Sequence, residues 1–145
     1  MTPLAPRCTH KKSNTAGQGS ESQEQQALFA WWALAGPKLC PDRPAPVMYA
    51  IPNGGRRDAI TGARLKAEGV LAGVPDIFLA VPAHGYAGLY IELKRRNGGR
   101  VSPAQKLVMQ RLRSHGYACT VCHGCEAAIN AIQSYLLWGE VFDGD

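Results

Sequence analysis

The sequence predicts a mixed α/β domain, a central mixed β-sheet flanked by helices, on three observations. Apolar runs of strand length at 47–51, 77–81, 89–94 and 117–122 alternate with helical stretches in the order α-β-α-β-β-α-β-α. The second and third runs are joined by a Pro- and Gly-rich loop and read as an antiparallel hairpin. Ser102-Pro103-Ala104-Gln105 has an N-cap, a proline at the first helical position and a glutamine to close a capping box, so a helix separates the third run from the fourth.

Taken in order, residues 1–19 are rich in Pro, Ser, Thr, Gly and Lys without apolar periodicity, as a flexible basic arm is. Ser20 then caps a helix of about 15 residues with Glu21, Gln25, Leu28, Trp32 and Ala35 on one face, stopped by Gly36-Pro37. A proline-rich loop leads to a strand at 47–51, and Pro52-Asn53-Gly54-Gly55 is turn chemistry. A helix follows over 57–68, ended by Gly69. After the hairpin, Asn97-Gly98-Gly99 closes the third strand. The next helix runs to about Ser114 with Leu107, Val108 and Leu112 apolar, and His115-Gly116 ends it. The last helix spans Cys125 to about Trp138, with Ala128, Ile129, Ile132, Tyr135 and Leu136 as its buried stripe. An acidic tail at 139–145 completes a chain whose ordered domain is 20–138.

A length of 145 residues suits one domain with a real core. The 46% hydrophobic content excludes a wholly disordered chain, and no apolar run approaches a membrane span. The N-terminus lacks the apolar segment of a signal peptide, and five cysteines, an odd number, argue against a disulfide framework. Both point to a cytoplasmic protein with reduced thiols. The net charge of +5 is concentrated between Glu92 and Arg113, where seven cations face one acid. An anionic partner is expected there, nucleic acid above all.

In Leu89-Tyr90-Ile91-Glu92-Leu93-Lys94 strand alternation sends Tyr90, Glu92 and Lys94 to one face. Asp76 opens the preceding strand, and hairpin pairing can bring it near Glu92. Two convergent carboxylates suit a hard divalent cation that also takes substrate phosphate. A neighbouring lysine can orient an attacking water and offset developing charge. Arg95, Arg96 and Arg100 follow in a Gly-rich loop, and Arg56, Arg57 and Arg64 flank the Asn-Gly-Gly turn, all suited to sequence-independent phosphate contacts.

Gly73-Val74-Pro75-Asp76, with Ile91-Glu92-Leu93-Lys94 placing its glutamate sixteen residues beyond Asp76, resembles the PD-(D/E)XK nuclease signature. The ordered blocks Ile51-Pro52-Asn53-Gly54-Gly55, Leu65-Lys66-Ala67-Glu68-Gly69, Ser102-Pro103-Ala104-Gln105 and Gly116-Tyr117 are more specific. Together they resemble the VRR-NUC family, in its short stand-alone form common in bacteriophages and prophages, over residues 20–138. The resemblance implies a PD-(D/E)XK restriction-endonuclease-like core and a Mg²⁺- or Mn²⁺-dependent DNA endonuclease. It implies Asp76 and Glu92 as metal-binding carboxylates, the Leu93 carbonyl as a further ligand, Lys94 as the catalytic lysine and Gln105 as its support. The family's first-helix glutamate falls on Glu21, with Glu24 the competitor. Stand-alone members resemble dimeric Holliday junction resolvases, which implies branched DNA as substrate and a homodimer, in the bacterial host cytoplasm if the chain is phage-encoded.

Cys119, Cys122 and Cys125, with Cys40 far upstream, leave open an iron–sulfur cluster or zinc; against either, a strand would put Cys119 and Cys122 on opposite faces. His84 reads as an exposed loop residue, and Trp31 and Trp32 as core and partial surface. Leu137 and Trp138 leave apolar surface for a dimer seam. A non-catalytic DNA-binding protein of the same fold is the competing class.

Overall fold

A computed structural model describes residues 19–53 and 58–142. Arg56 and Arg57, most of the N-terminal arm and the last three residues of the tail therefore lie outside the described residues. The elements are α1 (Glu21–Leu39), β1 (Met48–Ala50), α2 (Ala59–Ala67), β2 (Ile77–Leu79), β3 (Leu89–Lys94), α3 (Pro103–Ser114), β4 (Ala118–His123) and α4 (Cys125–Trp138). Their order is the one the sequence predicts.

The sheet runs β1-β2-β3-β4, antiparallel across the first two pairs and parallel across β3–β4, with α3 as the crossover. Strand alternation divides the core. Ile77, Leu79, Leu89, Ile91 and Leu93 pack on one face with Leu28 and Trp32 of α1 and Ala128, Ile132 and Tyr135 of α4. On the other face Met109, Cys119 and Val121 form a smaller cluster with Tyr90, Val101 and Leu112. The Tyr135 hydroxyl donates to the Val81 carbonyl at 2.6 Å, tying α4 to the end of β2. No described helix is long and apolar enough to cross a membrane.

Caps set the helix starts. Ser20–Gln23 and Ser102–Gln105 form capping boxes on α1 and α3, and the Asp58 carboxylate accepts from Thr61 N–H at 2.7 Å to start α2. Three local expectations are corrected. Helix α1 does not stop at Gly36-Pro37 but continues to Leu39. Proline so near a C-terminus removes one hydrogen bond and keeps a helical φ. A Cβ at Gly36 would meet the Trp32 ring at 2.8 Å, so the glycine serves close packing. The buried stripe of α1 is Glu24, Leu28, Trp32 and Gly36, so Glu24 rather than Glu21 begins it, and Glu21 is exposed in the first turn. On α3 the buried residues are Val108 and Met109, while Leu107 is exposed.

Candidate active site

The hairpin register builds the site. Ile77 pairs with Ile91, so the next rung sets Asp76 opposite Glu92. Glu92 is 1% exposed and Lys94 8%, so the charged pair is buried rather than a solvated strand face. Lys94 Nζ lies 2.7 Å from Glu92 Oε1. The same oxygen accepts from Gln105 Nε2 at 2.6 Å, and Gln105 Oε1 accepts from Ser102 N–H at 2.8 Å. Gln105 thus closes the capping box of α3 and holds the carboxylate of β3 with one side chain. Asp76 Oδ2 accepts from Leu93 N–H at 2.8 Å. These bonds fix one oxygen of each carboxylate. Glu92 Oε2 is buried and has no hydrogen-bond partner among the described residues.

Two glycines make this approach possible. Gly73, at φ 92, lies so close to the start of α3 that a Cβ would meet the Ala104 carbonyl oxygen at 2.6 Å. Gly-x-Pro-Asp therefore lets the Asp76 loop and the Gln105 helix turn touch backbone to backbone. Gly99, at φ 84, lies over the aliphatic stem of Lys94, where a Cβ would be 3.3 Å away. Asn53, read from sequence only as turn chemistry, donates to the carbonyls of Leu71 and Val74 at 2.9 and 3.0 Å, clamping the loop that delivers Asp76.

Electrostatics at the site are unfavourable to its own charges. Burial pushes the Asp76 carboxyl above the usual range, against the Leu93 N–H and Lys94, which favour the anion, while Glu21 adds repulsion. Burial likewise raises Glu92, against its bond to Lys94, with Asp76 and Glu21 repelling it further. Glu21 itself lines a cleft of about 650 Å³ together with Gln25, Phe29, Asn53, Asp76 and Leu93.

Glu24 does something else. Its Oε2 accepts from Cys125 N–H at 2.7 Å, and its Oε1 lies 3.7 Å from Arg96 Nε. Gly124 at the N-cap of α4 has no side chain to offer, so Glu24 caps that helix from across the molecule. Of the two glutamates, Glu21 is the one beside Asp76.

Arg95, Arg96 and Arg100 are exposed beyond the end of β3, and Arg64 pairs with Glu68 at 3.8 Å on α2. Cys119 packs in the α3 cluster and Cys122 in the α1/α4 core, on opposite faces of β4. Among the described residues no three His, Cys, Asp or Glu side chains group together as a metal site would need. His84 is exposed, with Nε2 3.0 Å from the Leu136 carbonyl at the end of α4. Trp32 is core and Trp31 half-buried. Leu137, Trp138 and Phe142 are exposed.

Comparison with known proteins follows the same lines. The family model for the VRR-NUC domain matches residues 19–126. A solved structure named "VRR_NUC domain protein" superposes with a TM-score of 0.69 at 27% identity, covering 88% of this chain and 96% of that one. No curated protein matches the sequence.

Proposed function

Because the chain belongs to the VRR-NUC family of nuclease domains, we propose that it is a Mg²⁺- or Mn²⁺-dependent endonuclease hydrolysing phosphodiester bonds in branched DNA such as four-way junctions. The observation that carries this reading is the orphaned Glu92 Oε2, buried one rung across from Asp76. A buried carboxylate oxygen without a donor is costly unless it meets a cation. Two carboxylates with free lone pairs suit a hard divalent ion that keeps waters and takes substrate phosphate. Asp76, Glu92 and the Leu93 carbonyl would hold it, with Glu21 across the cleft. Such an ion supplies positive charge against the scissile phosphate and acidifies the attacking water.

The chain's own residues do the rest. Lys94 keeps its ammonium on Glu92 Oε1, at the edge of the carboxylate pair, where it can orient the water and offset negative charge on the phosphate. Gln105 fixes the Glu92 rotamer and so aims Oε2. Arg95, Arg96 and Arg100 offer sequence-independent contacts to the DNA backbone, and Arg56 and Arg57 belong to the same reading. A homodimer through the exposed Leu137 and Trp138 would supply two sites for paired cuts.

The test is cleavage of labelled duplex, single strand, flap and four-way junction in Mg²⁺, Mn²⁺ or EDTA. Asp76→Asn and Lys94→Ala are expected to abolish metal-dependent nicking while DNA binding persists. Undiminished nicking by either purified variant overturns the assignment; binding without nicking by the wild type turns it to a DNA-binding protein of the same fold.

A further inference from the structure

The face of the sheet that carries Glu92 and Lys94 also carries an aromatic row. Tyr49, Phe78 and Tyr90 are paired straight across β1, β2 and β3. Phe78 and Tyr90 stack at 4.3 Å between centroids and 25° between planes. Tyr49 meets Phe78 edge-on at 5.8 Å, and Tyr117 meets Tyr90 edge-on at 5.4 Å. A Cβ at Gly88 would lie 2.6 Å from the Phe78 ring, so that ring is held low against the backbone. Helix α3 covers the β4 side of this face, with Tyr90 half-buried at its margin. Towards β1 no described helix approaches, and Tyr49 is 47% exposed.

Position gives the row a meaning that packing does not. Along β3 the face reads Tyr90, Glu92, Lys94, and the exposed Arg95, Arg96 and Arg100 follow. Two residues, about 6–7 Å of strand, separate the aromatic rung from the Asp76–Glu92 rung. A DNA strand crossing the carboxylate pair therefore has cations on one side of the cut and the aromatic row on the other, with Tyr49 its exposed ring. Ring faces can stack only on bases that are not already paired and stacked in a duplex. We propose that Tyr49, Phe78, Tyr90 and Tyr117 form a platform for unpaired bases next to the scissile phosphate, so that the enzyme recognises the boundary between paired and unpaired DNA. This rests on the nuclease reading above and narrows its branched substrates to those with a single-stranded arm, since a fully paired four-way junction offers the platform no unpaired base. A second copy of the chain is the weaker occupant. Three of the four rings are already half-buried, which leaves far less than the roughly 800 Å² per partner of a stable interface.

The test is metal-free binding in EDTA to two probes, a blunt duplex and the same duplex with a single-stranded tail carrying 2-aminopurine at successive positions. Wild type is expected to quench 2-aminopurine one or two nucleotides from the boundary and to bind the tailed probe more tightly. Tyr49→Leu is expected to lose the quenching and about tenfold or more in affinity for the tailed probe, with blunt-duplex affinity unchanged. Tyr49→Phe restores both, and melting curves confirm that each variant folds. Equal quenching in Tyr49→Leu, or equal affinity of wild type for the two probes, overturns the platform. A fall of Tyr49→Leu from dimer to monomer in sedimentation with unchanged binding overturns it in favour of a second copy. Nicking by wild type in Mg²⁺ is read in parallel. Lost quenching with nicking intact removes the platform alone, whereas quenching without nicking supports the platform and removes the nuclease reading.

Discussion

Glu24→Ala removes the carboxylate that caps α4 at Cys125 N–H, and the structure sets the size of the effect. The Cys125 N–H now bonded to Glu24 Oε2 at 2.7 Å would lose its partner in a part-buried setting. A lost cap costs roughly 0.5–2 kcal/mol, and an unsatisfied buried donor about 1–3 kcal/mol, two descriptions of largely the same loss. The contact to Arg96 is 3.7 Å long and the Arg96 side chain is 61% exposed, so it adds a few tenths of a kcal/mol at most, on the order expected for surface pairs. The total is about 2 kcal/mol, which for a chain of this length lowers Tm by about 4–8 °C. Glu24→Gln keeps an acceptor oxygen and loses only the charge at the helix N-terminus, about 0.3–1 kcal/mol, so its melting falls by a few degrees at most. Glu21→Gln, exposed beside the cleft, leaves Tm unchanged and lowers cleavage. Differential scanning calorimetry with a nicking assay well below Tm separates the two. A Glu24→Ala protein that melts within a degree of wild type refutes the capping account, and a Glu24→Ala protein that melts normally but cannot nick exchanges the roles of the two glutamates.

Gln105→Leu keeps the bulk of the side chain but frees Glu92 Oε1 from the 2.6 Å bond. Cleavage is expected to fall roughly 10–100-fold, as for loss of a residue orienting a ligand, with DNA affinity unchanged in a mobility-shift assay. Burial pushes the Cys122 thiol up to about 11 from 9.0. The unfolded thiol therefore ionises first, the native state holds more protons between the two values, and stability falls as pH rises through that window. Denaturant melts from pH 8 to 11 are expected to show a loss to which Cys122 contributes about 2–3 kcal/mol, beside Cys40, Tyr90 and Tyr135, which burial also raises; Cys122→Ala removes that share, and an identical slope in the variant refutes it.

The elements that could be read from sequence are those whose determinants are local. Ser20, Ser102 with Gln105, Gly69 and the alternation of 89–94 each fix a backbone conformation within one turn or one strand, whereas the Asp58 cap was not read and the helix expected from 57 starts at Ala59. The Asp76–Glu92 pairing was accessible for the same reason, since a hairpin sets its own register. What could not be read depends on contacts far apart in the chain. Gly36-Pro37 is a local exception, a pair that looks like a stop although Gly36 lies against Trp32 one turn earlier and the helix runs on to Leu39. Glu24 and Cys125 are 101 residues apart, and nothing near Gly124 signals where its cap comes from. Gly73 against Ala104 is of the same kind. The aromatic row needed the register of three strands, although the alternation that placed Glu92 and Lys94 on one face also placed Tyr90 there.

The site is where the chain departs from the local consistency it shows elsewhere. Asp76 and Glu92 set two carboxylates on one rung against the single positive charge of Lys94, and the exposed Glu21 repels both. Buried like charges are destabilising, and hydrophobic residues of similar size would pack β3 more favourably. The fold holds them regardless, because Gln105 is locked by the cap of α3, Leu93 N–H by the sheet, and Gly73 and Gly99 by the space they leave empty. Every one of these constraints aims an anionic oxygen rather than neutralising it. A single divalent cation would cancel the residual charge and satisfy Glu92 Oε2 together. On the proposed function, metal affinity and local instability would be one property of the same side chains. Replacing Asp76 with Asn, which keeps an oxygen for the Leu93 N–H and leaves the Lys94–Glu92 pair intact, should therefore weaken divalent-ion binding while raising the stability of the metal-free protein. Melting in EDTA and in Mn²⁺ reads both at once, and a variant destabilised in EDTA would refute the charge account.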